Sequence, residues 1–285
     1  MTRRISLLLF LLMISLSGFS QEKVAGADAI QKFLKTTTCV VLDNNIFDSY
    51  NSAIKKAVKE SWTITPVEFV SQEDFNQRKF DDKYSFLMIT KDYYKDDADK
   101  MSYKFISVLL GGKYGAVYHM PTLASFPLSY YENADYEFYN YKFGPIVKFL
   151  QNHINLTKSD PSLTEKNIIL YYNKNVSALG SKTLYVVKSD LASDVNTEAK
   201  VKENYSKPFK IVAEHEDLEE VIDEGDNNTV FVHKVGPPKG SPRVARCFNI
   251  VMGVDGKIYY FDFHKISGKS PDGFLKSDFK KLAKQ

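Results

Sequence analysis

The chain has 285 residues, of which 38 are basic and 35 acidic, so its net charge at pH 7 is +3. This near-neutral balance argues against nucleic acid as a general partner, because phosphate backbones are bound mainly through an excess of lysine and arginine. Two cysteines are too few for a disulfide framework, and the length suits two domains of ordinary size.

The amino-terminal segment is typical of a secretory signal peptide. Arg3 and Arg4 precede an apolar run at 5–14, and small residues follow where a cleavage site needs them. We therefore expect residues 1–20 to be a signal peptide and the mature chain to begin at Gln21. No later segment approaches the roughly 20 apolar residues of a membrane span, so no transmembrane segment is expected in the mature chain. The predicted location is periplasmic or secreted.

Residues 21–158 are predicted to form a first α/β module with an aromatic-rich insertion. The expected order is a strand at 38–42, a helix from Ile46 to Val58, a strand at 67–70, a short helix opened by 71–74, a strand at 84–90, and a hairpin from Tyr103 through Tyr118. The run 86–89 has no polar alternation, which is typical of a strand covered on both faces. An aromatic-rich connection at 119–141 leads to a helix that carries Ile146 and Ile154.

Residues 163–285 are predicted to form a second module after a polar linker. The expected order is an extra strand at 168–172, a strand at 183–187, a helix at 195–205, a strand at 210–213, a short helix at 216–223, a strand at 229–235, a hairpin of 247–252 and 257–263, and a closing helix with Leu275, Phe279 and Leu282. Asp255 and Gly256 form a good tight-turn signal within the hairpin.

The second module is a diverged copy of the first. Three blocks align at one offset, which pairs Val58 with Val201, Asp74 with Asp217 and Phe86 with Thr229, each 143 residues apart. Unrelated helices and strands share residue types more often than they share spacing, so one module used twice is indicated. The predicted fold class is α/β, a tandem duplication of a βαβαβ-hairpin-α module. Phe86, Met88, Phe231 and Val232 are expected in the core.

This order of elements resembles two known architectures. Together with the run from Thr229–Val232 to Asn249–Lys257, it is similar to the α/β module at the amino terminus of TolB and in the curli-secretion channel family. The resemblance implies two βα units, a strand, a hairpin and a helix in each copy. The alternative is a pair of thioredoxin-like modules, but neither copy has Cys-x-x-Cys after its first strand, so redox activity is not expected.

Motifs for catalysis and metal binding are weak. The histidines, which show no metal-ligand spacing, are His119, His153, His215, His233 and His264. The Gly111-Gly112-Lys113 sequence lacks the frame of a phosphate-binding loop and indicates a turn. No nucleophile elbow is present, and we expect no cofactor and no bound metal. Cys39 and Cys247 do not align between the copies, so they are expected to be buried, unpaired thiols.

The clearest differences between the copies suggest where a partner binds. The loop at 235–246 carries Lys239, Arg243 and Arg246 without acids and is stiffened by prolines, whereas its counterpart at 91–100 mixes both signs. This contrast favours another envelope protein or an anionic ligand as the partner. The aromatic connection offers either a ligand platform or packing between the modules, through Tyr130, Tyr131, Tyr136 and Tyr139.

The predicted function is an exported, non-catalytic envelope protein that serves as an interaction or assembly platform. The alternative is an enzyme, of a hydrolase or ligand-binding type, with a site between the two modules. A pocket with converging polar groups would favour the enzyme, and a filled seam would favour the platform.

Overall fold

Two mixed five-stranded sheets, flanked by helices, form an α/β fold of two similar modules. The computed structural model describes residues 25–44, 49–94, 102–130, 137–237 and 245–284. The predicted signal peptide therefore lies outside the described residues.

The first sheet carries the amino-terminal module. Its elements in chain order are α1 (Ala27–Phe33), β1 (Thr37–Val41), α2 (Ser49–Ser61), β2 (Val67–Val70), α3 (Gln72–Arg78), β3 (Tyr84–Tyr93), β4 (Ser102–Leu110), β5 (Thr122–Tyr130), α4 (Glu137–Asn140) and α5 (Phe143–Ser159). The second module contains α6 (Ile168–Asn173), β6 (Thr183–Val187), α7 (Glu198–Lys202), β7 (Phe209–Val212), α8 (His215–Asp223), β8 (Thr229–Val235), β9 (Arg246–Gly253), β10 (Ile258–Lys265) and α9 (Lys276–Ala283).

Both sheets have the same topology, which confirms the predicted α/β fold of two similar modules. The strand orders are β2-β1-β3-β4-β5 and β7-β6-β8-β9-β10, each with three parallel strands followed by an antiparallel hairpin. The short helices α3 and α8 also begin alike, because Asp74 and Asp217 each accept a hydrogen bond from the backbone N–H of the helix-capping residue. Those two aspartates are the pair that the sequence aligns.

Helix α5 lies between the two sheets. It packs on α2 and β5 of its own module, and one apolar cluster joins these elements to Phe231, Ile250 and Met252 of the second sheet. A separate cluster packs α7 and α9 on the opposite face of that sheet, and α3 covers the outer face of the first sheet through Phe75. The two modules therefore share one core rather than meeting at a polar boundary.

Two predicted strands are wrong. The returning strand of the first hairpin is β5, inside the aromatic-rich connection, and residues 117–119 form a short 3-10 turn. Pro127 obscured β5 in the sequence, although a proline is tolerated at a sheet edge. The expected strand at 168–172 is helix α6, because a short apolar run is compatible with either state. Asn173 at the end of α6 donates to and accepts from the backbone of Phe261 on β10.

The predicted core residues are confirmed. Phe86, Met88, Phe231 and Val232 are buried. Cys39 and Cys247 are both buried free thiols, as expected from their failure to align. The predicted helix at 195–205 is much shorter, since only α7 is helical and a 3-10 turn precedes it.

Candidate functional site at the module seam

The sequence-predicted partner residues fall into two groups. Four of them lie outside the described residues, namely Lys239, Arg243, Tyr131 and Tyr136. The other three, Tyr130, Tyr139 and Arg246, are buried. The Arg246 guanidinium lies over the rings of Tyr94 and Phe263, 4.1 and 5.1 Å from their centroids. Arg246 is therefore buried inside the molecule and does not lie on a surface that a partner could contact.

The aromatic connection packs between the modules, as one of its two interpretations predicts. Tyr130 meets Tyr103 edge to face at 5.7 Å, and both belong to a cluster that includes Phe248 of the second module. Phe126 contacts Phe149 on α5 and His233 on β8. These contacts use the aromatic rings as interior surface, which fits their large apolar area.

The turn between β9 and β10 docks on α5. Gly256 has φ +77°, and a Cβ built there would lie 2.5 Å from the backbone nitrogen of Phe149. Lys148 Nζ donates to the carbonyl of Val254 at 3.1 Å, and Asn152 donates to that of Asp255 at 3.2 Å. Only glycine combines this backbone conformation with so close an approach. The contact fixes how the second module sits on the first.

An open cleft of about 650 Å³ lies beside this contact. Helix α2 and the start of α5 line it from the first module, and the end of α8 and Val254 line it from the second. Its charged residues are Lys56, Glu60, Lys148, Glu219 and Asp223. The volume lies within the range of ordinary ligand sites. Both modules are required to form its walls.

The acidic residues at the carboxyl end of helix α8 destabilise that helix. Acidic residues crowd its final turn and no basic residue is present there, although cations are favoured at a helix carboxyl end. Partial burial raises the pKa of Glu219, and the negative charges of Asp223 and Glu216 raise it further, while Lys56 lowers it. The equivalent helix α3 ends with the basic Arg78, which pairs with Glu68. The unfavourable charges of α8 face the cleft.

A polar cluster, called the buried cluster below, lies deeper in the seam and consists of the buried Lys142, Asp190 and His233 with the partly buried Tyr141 and His215. Asp190 follows β6 and His215 begins α8 just after β7, so both lie at the carboxyl edge of the parallel strands. Ligands of open α/β sheets bind outside this edge. The first module contributes the buried Lys142, which immediately precedes α5 and whose pKa the charge of Asp190 raises against the effect of burial.

Burial lowers the pKa of both histidines of the cluster. His233 Nε2 donates to the carbonyl of Pro127 at 2.8 Å, since a carbonyl can only accept. Burial lowers the pKa of His233 to about 3, helped by the nearby charge of Lys142. Its Nδ1 is therefore an acceptor, and it has no hydrogen-bond partner among the described residues. His215 Nδ1 and the Tyr141 hydroxyl are 2.9 Å apart, and burial lowers the pKa of His215 as well.

Lys142 and Asp190 form the charged centre of the cluster. Lys142 is 2% exposed and Asp190 8% exposed. Burial lowers the pKa of Lys142 to about 8, while the Asp190 carboxylate opposes that shift. The part of the chain that the structure describes shows no ion pair between them, and Asp190 Oδ2 has no hydrogen-bond partner there. The Lys142 ammonium lies instead over the ring of Tyr141, 5.0 Å from its centroid.

Sequence reasoning missed this cluster because its members are scattered from 141 to 233. The histidine spacing indicates structural or surface roles rather than a metal site, and among the described residues no group of three potential ligands could hold a metal ion. Within 25–284, excluding the gaps in the description, no helix is long and apolar enough to cross a membrane.

No protein-family model, curated protein or solved structure matches the chain significantly. The resemblance to the TolB and curli-secretion modules therefore remains a prediction from element order. Any function has to be argued from the cleft and the buried cluster themselves.

Proposed function

We propose that the chain is an exported, non-catalytic envelope protein that serves as an interaction or assembly platform, with the cleft between its modules as the binding surface. The observation that carries this proposal is that both modules build the cleft while the seam beneath it is packed with apolar side chains. A shared core keeps the two cleft walls in a fixed geometry, and a preformed surface loses little entropy on binding.

The charges of the cleft favour a basic segment of an envelope partner. Glu60, Glu219 and Asp223 outnumber the two lysines in its lining, and Lys148 already donates to Val254. A basic partner would relieve the repulsion at the end of α8, so binding and helix stability would improve together. An anionic ligand would depend on Lys239 and Arg243, which lie outside the described residues.

Reversal of charge on one face of α8 tests this proposal. The mature protein and a Glu219→Lys, Asp223→Lys variant are used as bait for envelope extract, and bound proteins are compared by mass spectrometry. Glu220→Lys, Glu224→Lys is the matched control, because it makes the same charge change on the same helix away from the cleft lining. We expect a salt-sensitive partner that the first variant loses and the control retains.

Equal capture by both variants would remove the cleft from the binding surface. A loss in both would indicate a diffuse charge effect and would also contradict the proposal. The melting temperature of each variant is also measured, because it shows whether a variant has lost its fold rather than its binding surface.

Export is tested independently by the intact mass of the protein from its native host. We expect a mature chain that begins at Gln21, free or cyclised. A retained segment 1–20 would contradict export without bearing on the cleft.

The buried cluster favours a second candidate, an enzyme or small-ligand protein with its site between the modules. Burial lowers the pKa of both Lys142 and His233, and perturbed pKa values are common at functional sites. None of its five side chains is a serine or cysteine nucleophile. The cluster therefore supports ligand binding better than a hydrolase of the acyl-enzyme type.

A further inference from the structure

We infer that Asp278 keeps its proton in the folded protein well above the pH at which an exposed aspartic acid loses it, and that it thereby acts as a pH-sensitive latch that holds helix α9 on the second sheet. The basis is the number of protons that the hydrogen bonds around Tyr260 require. The latch lies on the outer face of the second module, away from the cleft lining, and is independent of the proposed platform.

One hydroxyl group lies between two carboxyl groups. The Tyr260 hydroxyl oxygen is 2.8 Å from Asp278 Oδ1 and 3.0 Å from Asp262 Oδ2, and both distances are those of hydrogen bonds. A tyrosine hydroxyl carries a single proton, so it donates a well-aligned hydrogen bond to only one of two ionised carboxylates. The other contact would then join two oxygens with no proton between them. A second proton, held by one of the carboxyl groups, completes both hydrogen bonds.

The surroundings of the two carboxyl groups assign this second proton to Asp278. Asp278 is 3% exposed, whereas the side chain of Asp262 is 36% exposed. Lys281 Nζ pairs directly with Asp262 Oδ2, but it lies 3.9 Å from Asp278 Oδ1. An ionised carboxylate costs most where water is excluded, and a cation in direct contact offsets that cost. Asp278 therefore donates its proton to Tyr260, and Tyr260 donates its own to Asp262.

The other oxygen of Asp278 has the contacts that a protonated acid needs. Asp278 Oδ2 accepts from the backbone nitrogen of Leu275 at 2.9 Å and from Asn249 Nδ2 at 2.8 Å. The carbonyl oxygen of a protonated acid accepts two such bonds, which leaves the other oxygen to carry the proton. Strand β9 thus contributes the neutral amide of Asn249 to the surroundings of this carboxyl group.

The charged and titratable groups around Asp278 act in opposite directions on its pKa. Burial raises the pKa of Asp278, and the negative charge of Asp262 on β10 raises it further. The hydrogen bonds from Leu275 and Tyr260 and the charge of Lys281 on α9 lower it. The net change is upward, which agrees with the proton count around the tyrosine hydroxyl.

The hydrogen bonds of Asp278 join α9 to both strands of the hairpin. Asp278 lies in the first turn of α9, and its partners Asn249 and Tyr260 lie on β9 and β10. The unfolded chain releases this proton near pH 3.9, whereas the folded protein retains it to a higher pH. Between these two pKa values the folded state binds more protons, so stability falls as the pH rises. Deprotonation therefore weakens the attachment of α9.

Asp278→Asn tests the latch, because the asparagine side chain has the hydrogen-bonding pattern of the protonated acid. Its amide oxygen would accept from Leu275 and Asn249, and its amide N–H would donate to Tyr260. We expect the mature variant to melt near the temperature of the native protein at pH 4 and a few degrees above it at pH 7, because the native protein alone loses stability at this residue as the pH rises. A difference that does not widen with pH, or a variant less stable than the native protein at pH 7, overturns the inference.

Carbon NMR of the aspartate side-chain carboxyl groups locates the proton in the native protein without relying on the stability of a variant. An exposed aspartic acid, with a pKa of about 3.9, is largely ionised at pH 5. We expect one aspartate resonance to keep the chemical shift of a protonated acid at that pH. Asp278→Asn should remove this resonance, and the matched control Asp262→Asn, on the other side of the same hydroxyl, should retain it. Absence of the resonance from the native protein, or its loss in Asp262→Asn with survival in Asp278→Asn, overturns the inference.

Discussion

The two hairpin turns show how duplicated modules have diverged. Gly256 lies at φ +77°, and a Cβ there would meet the backbone of Phe149 on α5 at 2.5 Å. Gly112, in the corresponding turn of the first module, lies at φ +148°, and a Cβ there would meet the Tyr114 ring at 2.9 Å. The first neighbour is rigid backbone of the other module, and the second is a side chain of the same module. One copy of the turn has become the docking element.

The short helices diverge in the same direction. Arg78 of α3 pairs with Glu68 and lies over the ring of Tyr84, 5.2 Å from its centroid. The end of α8 carries acids instead and faces the cleft. Strand order and capping are shared, while the second-copy residues that differ, Gly256 and the acids at the end of α8, face the first module. The seam is therefore where the second copy has acquired new roles.

The largest expected effect tests whether the seam is core. Phe231→Ala should lower the free energy of unfolding by roughly 3–5 kcal/mol, because the side chain is fully buried in the cluster that both sheets share. Denaturant unfolding measures it. Phe80→Ala, at an exposed ring, is the control and should cost under about 1 kcal/mol. A Phe231 effect as small as the control would place that face outside the core.

The next effect tests the difference between the two turns directly. Gly256→Ala should cost roughly 2–4 kcal/mol, because left-handed backbone strain adds to a clash with Phe149 N. Gly112→Ala should cost about 1–2 kcal/mol less, since the Tyr114 ring can move away. Thermal unfolding of the two variants gives the comparison. Equal costs would show that the Gly256 turn is not a docking contact.

A smaller expected effect is a loss of stability as the pH is lowered. The unfolded His233 takes up a proton near pH 6.5, but in the folded protein its pKa is about 3, so the unfolded state binds more protons between these values. Because of this residue, the free energy of unfolding should therefore fall by about 2 kcal/mol as the pH is lowered from 6.5 to 5. The change His233→Gln keeps a donor toward Pro127 and removes the titration.

Stability measured against pH checks this effect. The His233→Gln variant should lose less stability than the native protein as the pH falls. His119→Gln, at an exposed histidine, is the control for the substitution itself. Identical profiles for all three proteins would show that His233 has the same pKa in the folded and unfolded states, which would contradict the lowered pKa.

The smallest effect concerns the thiols. Burial raises the pKa of both Cys39 and Cys247, so both should react with a thiol reagent on the order of a hundredfold more slowly in the folded protein than after denaturation. Two thiols should be counted under denaturing, non-reducing conditions. A count of zero would indicate a disulfide and would contradict the arrangement of the two modules.

Repetition was the property of this fold that the sequence predicted best. The spacing from Asp74 to Asp217 is preserved because both residues cap equivalent helices, and capping tolerates no shift. Strand β5 and helix α6 were missed because Pro127 and a short apolar run give ambiguous local signals. A local sequence pattern predicts the helix or strand to which a residue belongs better than it predicts which other helix or strand that residue contacts.

The buried cluster could not be predicted for the same reason. Lys142, Asp190 and His233 belong to three separate segments that meet only when α5 docks on the second sheet. A lysine before a helix is typical of a solvated position, and the aromatic residues beside it do not indicate that its own ammonium is buried. The functional interpretation of such a residue requires the arrangement of the modules.

Helix α6 has a consequence for the assembly of this chain with copies of itself. Asn173 occupies the backbone N–H and carbonyl of Phe261, and Asn175 donates to Ile258 O, so the outer strand β10 has side chains where another strand would pair. A chain that encodes the same sheet twice is prone to exchange strands between its copies and to polymerise through open edges. The two asparagines block that route at β10, which allows duplication without fibre growth from this edge.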